Sequence, residues 1–499
     1  MASVLDPILR HAAEERGRIA LRDERGDWTY GDVAGAAEAF GADLQASGMA
    51  PGTHMVLIAP SVPEFVVAYL GIAAAGCVVI PMNTMSVRDE IRYVLNDSGA
   101  ARIIAWDALG AAAREAADDL GVPLQVLRQL TPGAHRPVGS ESAICPRDRS
   151  DTAAILYTSG TTGRPKGAEL SVANILDSAE ISVQIGRSTP QDRFATGLPL
   201  FHVFGQIAVM MSALTAGASL SLLSPFEPNR MLELIRRDQI SIVLGVPTMW
   251  NAMLRAAEGA GDGDFAGVRA AVSGGASLPA EVSRAFERRF GCPVIEGYGL
   301  TESSALGTFN DLDRGPKIGS TGAPIPRSEI QIRSLDGQVV AQGEVGEVFM
   351  RGPQVMKGYW NRPEATAEAF VDGWFRTGDL GALDADGDLR IVDRLKDLII
   401  RGGYNVYPGE VEEVLYGHPD IIEVAVVGVP DEYYGQEVAA VITLRDGASV
   451  TGEEITAWSR ERMSAYKIPR IVRFVPTLPK GATGKILKRA IDLSDGETR

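Results

Sequence analysis

The sequence predicts an α/β protein: a large N-terminal domain of two α/β subdomains plus a β-rich subdomain, then a small α+β domain. Three observations predict it. Strand-like apolar runs alternate with helical patterns over most of the chain, as α/β units with buried sheets require. After about Ile318 the pattern turns to short strands, Gly turns and acidic tips. From about Lys396 it changes again, to a compact α+β pattern. A chain of 499 residues is also too long for one core and suggests two to four packed units.

The N-terminal strands are expected at Met55–Ala59, Arg102–Ala105, Thr152–Tyr157 and Ile242–Gly245. The uncharged run Phe65 to Val87 is long enough to cross a bilayer, but Gly71 and Gly76 interrupt it and Pro81 ends it. It reads as a buried helix to about Ala75, a turn at Gly76 and a core strand Cys77–Ile80. Ala195 to Phe226 is broken in the same way by Pro199, Gly205 and Gly217. The β-rich subdomain, about 318–393, is read from Glu344–Arg351 and from the hairpin pattern Leu383–Ile391. In the last module a helix Pro408–His418 precedes a strand Val424–Gly428, and a helix near Glu453–Met463 precedes a strand Ile471–Val475. No internal repeat or low-complexity linker is present, so the joint is short, best placed at Asp393–Lys396.

Composition narrows the function. With 48 Lys+Arg against 64 Asp+Glu the net charge is −16, which argues against nucleic acid as a partner. Cys77, Cys145 and Cys292 show no metal-ligand spacing and leave an odd thiol, so neither a disulfide framework nor a zinc site is expected. A reducing cytoplasm fits. The N-terminus shows no signal-peptide pattern, and no transmembrane segment is expected.

Lysine is rare, with eight Lys among the 48 basic residues. Where Arg replaces Lys so freely, the remaining lysines, at 166, 317, 357, 396, 467, 480, 485 and 488, merit attention, because a compact flexible ammonium is not interchangeable with a guanidinium. Between Arg460 and Arg489 nine basic residues face one acidic residue, Glu461, a local field suited to polyphosphate.

The segment Tyr157-Thr-Ser-Gly-Thr-Thr-Gly-Arg-Pro-Lys-Gly167 carries the clearest chemistry. Its glycines let backbone N–H groups converge. Thr158, Ser159, Thr161, Thr162 and Lys166 add donors around Gly160, so the loop can wrap phosphate oxygens. It lacks the spacing of a Walker A loop and the helix that would follow one.

This loop resembles the phosphate-binding signature of the adenylate-forming superfamily: acyl- and aryl-CoA synthetases, adenylation domains and luciferases. The resemblance runs from about residue 20 to about 490, with further motifs in the family's order. Tyr298-Gly-Leu-Thr-Glu302 resembles its second nucleotide motif, which implies that Tyr298 stacks on adenine, Thr301 meets the α-phosphate and Glu302 holds Mg²⁺. Ser273-Gly-Gly-Ala276 resembles the strand end bordering adenine and acyl group, giving roles to Gly275, Ala276 and Gly297. Arg376-Thr-Gly-Asp-Leu380 resembles the ribose motif, with Asp379 accepting both hydroxyls and Arg394 donating. Pro479-Lys-Gly-Ala-Thr-Gly-Lys485 resembles the loop of the catalytic lysine, which bridges the substrate carboxylate and the α-phosphate.

The resemblance implies ATP, Mg²⁺ and CoA, with acyl-adenylate as intermediate and a thioester as product. It also implies domain alternation: a mobile C-terminal domain, 397–499, swinging about a hinge at 394–396 that contains Lys396. Gly402, Gly403 and Tyr404 then approach the CoA arm. The acyl wall is expected from Pro199–Gly205, with His202, Val203, Phe204, Trp250, Gly275, Gly297 and Leu300 as lining and His202 also counted among the catalytic residues. No carboxylate stands where amino-acid adenylation domains hold an ammonium, and Gly297 stands where dicarboxylate-activating relatives carry Arg. The expected substrate is therefore a neutral monocarboxylic acid, medium-to-long chain or aryl, with Gly275 and Gly297 leaving room. Transfer to a carrier-protein thiol is the alternative. The expected assembly is a monomer or homodimer. One departure is Leu170-Ser-Val-Ala-Asn174, where many relatives have Thr-His-Arg-Asn.

Overall fold

Two mainly parallel sheets hold the N-terminal part of the chain. The computed structural model describes residues 1–133, 144–158, 164–256 and 265–493. Among the described residues the first sheet has seven strands, ordered Gly358–Tyr359, Lys166–Ser171, Thr152–Thr158, Val78–Pro81, His54–Ile58, Arg102–Trp106 and Leu124–Leu127. Its central runs are apolar without alternation, as strands covered on both faces must be. The helix Pro63–Ala74 starts with Pro in its first turn and stops before Gly76, whose φ of +74° a residue with a Cβ adopts only at a cost. No helix among the described residues is long and apolar enough to cross a membrane.

The second sheet has nine strands among the described residues. Its centre runs Val294–Tyr298, Ala270–Ser273, Ile242–Gly245, Arg193–Thr196 and Ser219–Leu222, all parallel. The carboxyl ends of these strands face the cleft described below. Such ends, in open α/β sheets, are where ligands bind. The β-rich subdomain is the antiparallel sheet Glu329–Arg333, Gly346–Arg351, Phe370–Val371, Trp374–Leu383 and Leu389–Arg394. It is less self-contained than its pattern suggests. Ala323–Pro324 joins the nine-stranded sheet and Gly358–Tyr359 the seven-stranded one. Short strands hold too little apolar surface for a separate core and borrow a neighbour's edge.

The last module is a sheet of Ile399–Arg401, Tyr404–Val406, Ile421–Asp431, Gly435–Leu444 and Ile471–Phe474, with helices Pro408–Tyr416 and Gly452–Arg460. Its main core, from Ile399 to Phe474, contains no N-terminal residue. The expected elements all occur, most with ends shifted by a few residues. Ser171 and Asn174 cap the helix Val172–Gly186, and Asn174 Nδ2 donates to the carbonyls of Pro353 and Val355. The unusual Ser-Val-Ala-Asn turn therefore ties two sheets together, with Val172 buried.

Candidate active site

Most of the residues singled out by sequence that the structure describes converge on one cavity of about 1090 Å³ between the two N-terminal sheets, the β-rich sheet and the last module. Its walls include Thr158, Lys166, His202, Val203, Phe204, Gly275, Ala276, Gly297, Tyr298, Leu300, Thr301, Glu302, Asp379, Arg394, Lys396 and Lys485. Ser159, Gly160, Thr161 and Thr162 lie outside the described residues. Their flanks form a hairpin in which Thr158 pairs with Lys166, so a strand, not a helix, follows the loop.

Three clusters organise the cavity. In the first, Glu302 Oε1 accepts from the Thr158 hydroxyl at 3.3 Å and from the Tyr359 hydroxyl at 3.0 Å. Burial pushes the Glu302 carboxyl above its ordinary range. Lys166 Nζ lies 5.3 Å from the Tyr359 ring centre. A half-buried carboxylate beside hydroxyls and an ammonium fits Mg²⁺, which is typically held by one or two carboxylates plus phosphate oxygens.

In the second cluster, the Tyr298 hydroxyl donates to Asp379 Oδ2 at 2.7 Å, and Arg394 Nε stands 3.6 Å from Asp379 Oδ1. Asp379 and Arg394 are paired across neighbouring strands, which fixes their approach. Burial raises the Asp379 carboxyl, against the pull of Arg394, Tyr298 and Lys485.

The third cluster spans the two domains. Lys485 Nζ donates to the Gly275 carbonyl at 2.9 Å. Burial, then the like charge of Arg394, lowers its pKa to about 8. Gly484 has φ +78°, and a Cβ there would meet Thr248 Oγ1 at 2.9 Å, so the loop needs glycine to pass. The Thr248 hydroxyl donates to the Gly484 carbonyl at 3.0 Å. Beside the lysine, His202 is held neutral, its pKa lowered to about 4 by burial and then by Lys485. Its Nδ1 accepts from the Phe204 N–H at 3.3 Å. Phe204 begins a π-helix, Phe204–Met211, a form that recurs at functional sites.

Several expectations are corrected. The basic run 460–489 is not a free cationic field. Lys467, Lys480 and Lys488 pair with Glu410, Glu423 and Glu412, each within 2.6 Å, and Arg470 faces Glu437 at 3.7 Å. Lys485 differs from these in bonding a carbonyl. Lys317 and Lys357 are also in ion pairs, so rarity alone does not mark a site lysine. Trp250 does not line the cavity: it is fully buried, edge-on to Phe286 at 5.2 Å. Gly297 leaves no spare room, because a Cβ there would lie 3.0 Å from the Phe309 ring. Gly402, Gly403 and Tyr404, expected at the cleft only once Lys485 has left it, are not corrected by lying outside the cavity walls in this arrangement, where Tyr404 is exposed and stacks on Tyr466 at 4.9 Å.

Sequence reasoning missed Tyr359 and Glu413, which line the cavity, and Glu296, a buried carboxyl outside its walls. Glu296, in the strand Val294–Tyr298, accepts from the Leu278 N–H at 3.0 Å, and burial raises its carboxyl to about 7. Glu413, from the last module, accepts from the Ala280 N–H at 3.2 Å, at the start of the helix Ala280–Phe290. Nothing in their local sequence marks these residues.

Comparison with known proteins agrees with this geometry. Residues 8–360 match the AMP-binding enzyme family, and residues 410–485 match the AMP-binding enzyme C-terminal domain. The chain is 37% identical to a feruloyl-CoA synthase of an Amycolatopsis species, over 96% of both chains. It is 35% identical to a long-chain-fatty-acid–CoA ligase of Bacillus subtilis (strain 168), over 93% of this chain and 89% of that one. The ATP-bound crystal structure of MatB from Rhodopseudomonas palustris superposes with a TM-score of 0.90 at 30% identity, over 98% of each chain. The chain belongs to the AMP-binding enzyme family. Within that family it is an AMP-forming acid–CoA ligase, whose substrates are ATP, CoA and a small carboxylic acid.

Proposed function

We propose that the protein activates a neutral, largely apolar monocarboxylic acid, aryl or medium-to-long chain, as its acyl-adenylate and then passes the acyl group to the thiol of CoA. One observation carries this reading: Lys485 reaches from the last module to the Gly275 carbonyl, inside a cavity that also holds Glu302, Asp379 and Arg394. In the first step a carboxylate oxygen attacks the α-phosphorus of ATP, and pyrophosphate leaves. Two anions approach each other there, and Lys485 stands between them as the stabilising cation. Thr301 and Lys166 serve the phosphates, Tyr298 the adenine, and Asp379 with Arg394 the ribose. Glu302 would hold Mg²⁺, which neutralises phosphate charge when bound. His202, Val203, Phe204 and Leu300 form the acyl wall, with His202 neutral so that it brings no competing charge.

In the second step the CoA thiolate attacks the acyl carbon and AMP leaves. Lys485 must first withdraw. Rotation of residues 397–499 about the joint at 394–396 does this and brings Gly402, Gly403 and Tyr404 to the cleft. The names of the two relatives, one aryl and one fatty, support the substrate class at that breadth. The test is carboxylate-dependent pyrophosphate release across a panel of acids, followed by mass spectrometry for acyl-CoA with CoA alone. Loading of an acyl carrier protein but not of CoA would reverse the choice of acceptor.

A further inference from the structure

The acyl end of the cavity does not stay apolar. Beyond His202 it follows the sheet past Val246, Leu244 and Ile242, three positions on one face of the strand Ile242–Gly245 and its extension. Four residues of extended chain span about 13 Å. The deep end is walled by Ile185, Phe194, Ala208 and Ile242, and by two hydroxyl residues, Ser182 and Ser212.

Their depth is fixed from both sides. Ser182 lies one turn before the end of the helix Val172–Gly186, and Arg269, just before the strand Ala270–Ser273, donates to the Gly186 carbonyl at 3.0 Å. That helix end therefore sits against the far edge of the sheet, away from Gly275. Ser212 follows directly on the π-helix that starts at Phe204, so it too lies well below the acyl entrance.

Both serines are buried, at 7% and 2% exposure; Ser182 lines the cavity, while its Oγ has neither a hydrogen-bond partner nor open surface and reaches the cavity by rotation about the Cα–Cβ bond. A helical serine ordinarily settles its hydroxyl on the carbonyl four residues back. Ser98 does so with Val94, and Ser459 with Ile455. Ser182 does not. A buried hydroxyl without a partner costs free energy unless something supplies one.

We infer that the deep end is a polar subsite, in which Ser182 and Ser212 take a hydroxyl or ether oxygen at the end of the acid remote from its carboxylate. This rests on the ligase reading and deepens it: the preferred acid is apolar along its length and oxygenated at its tip. Ser182 and Ser212 determine specificity and take no part in bond making.

The experiment compares matched acids by pyrophosphate release: cinnamic against para-hydroxycinnamic, and decanoic against ω-hydroxydecanoic. The wild type should favour the oxygenated member of one pair by at least about tenfold in kcat/KM, the scale of one buried hydrogen bond to a group otherwise left unpaired. Which pair responds separates an aryl from an aliphatic source. In the double variant Ser182→Ala/Ser212→Ala the ratio should fall to near one, while the rate on the unsubstituted acid is kept. Ser182→Ala alone should keep or raise Tm, since it removes an unpartnered polar atom. Equal or better turnover of both unsubstituted acids by the wild type would overturn the subsite, as would a preference that survives in the double variant or a lowered Tm for Ser182→Ala. Acid-dependent pyrophosphate release from none of the panel would instead overturn the ligase reading, and the subsite with it.

Discussion

Replacing Lys485 with alanine should slow adenylate formation far more than thioester formation. Its ammonium enters the cavity on a glycine-bounded loop and bonds the Gly275 carbonyl at 2.9 Å. At about 4 Å from one negative charge, with an effective dielectric of about 20, an ammonium is worth about 4 kcal/mol. That corresponds to roughly a thousandfold in rate. Burial already disfavours the ammonium, lowering its pKa to about 8, a difference of about 3 kcal/mol that is borne in the free enzyme. Charge that gathers between carboxylate and phosphate in the transition state returns part of this, so the expected loss is about 10²–10³-fold. The assay is pyrophosphate release with saturating ATP and acid. Its control is thioester formation from supplied acyl-adenylate and CoA, which should change by less than about threefold, because on the proposed reading that step runs with Lys485 out of the cleft. Equal losses in both halves would refute the assignment and point to damage of the fold or of the nucleotide site.

The same lysine sets a pH limit: it is charged below about pH 8 and neutral above, so kcat/KM for pyrophosphate release should fall as pH rises past that value. His202, already neutral with a pKa near 4, should add no limb between pH 5 and 8; a profile flat to pH 10 would remove the lysine from the chemistry. Glu413→Ala deletes the acceptor at the start of the helix Ala280–Phe290, a contact of about 1 kcal/mol; adenylation should slow about fivefold, with no slowing of thioester formation from supplied acyl-adenylate. Glu302→Gln removes charge but little shape and should raise the Mg²⁺ concentration for half-maximal pyrophosphate release at least about tenfold. Glu296, raised by burial from 4.5 to about 7, binds its proton more tightly in the folded state, so it lowers stability as pH rises through that window. Glu296→Gln should therefore stabilise the protein above pH 7, by up to about 3 kcal/mol, and hardly at all below pH 4.5, as read from urea midpoints.

The parts of the site that could be read in the sequence are those whose chemistry is packed into a few consecutive residues. Gly-Ala-Thr-Gly before Lys485, Thr-Gly before Asp379 and Thr before Glu302 each announce a loop with a charged tip, and the structure brings all three tips into one cavity. Tyr359 could not be read in this way. It belongs to a two-residue strand whose partner, Lys166–Ser171, lies far earlier in the chain, and only that pairing carries its hydroxyl to Glu302. The basic run near the C-terminus misled for the same reason in reverse. Its neutralising carboxylates, Glu410, Glu412, Glu423 and Glu437, stand on other elements of the module. Gly297 misled because a missing Cβ is open space only where no neighbour fills it, and the Phe309 ring does.

On the proposed reading, the joint between the domains is what lets one active site serve two reactions. Among the described residues no apolar cluster has members from both sides of residues 394–398: the last module's clusters run within 399–493, and the others end by residue 391. What crosses the gap is a set of single hydrogen bonds. Thr248 donates to the Gly484 carbonyl, Asn251 to the Ile422 carbonyl, Ala280 N–H to Glu413, Gly409 N–H to Asp393, and Lys485 to the Gly275 carbonyl. Those between neutral groups are worth about 1 kcal/mol net and those to a charged group about 1.5–3 kcal/mol, and all can be exchanged for water. Separating a shared apolar core would cost about 25 cal/mol for every Å² uncovered, with no such exchange. A polar, weakly held interface is what an interdomain rotation needs. On that reading, the contacts holding Lys485 in place are specific enough to define an adenylating arrangement, and weak enough to release for the second step.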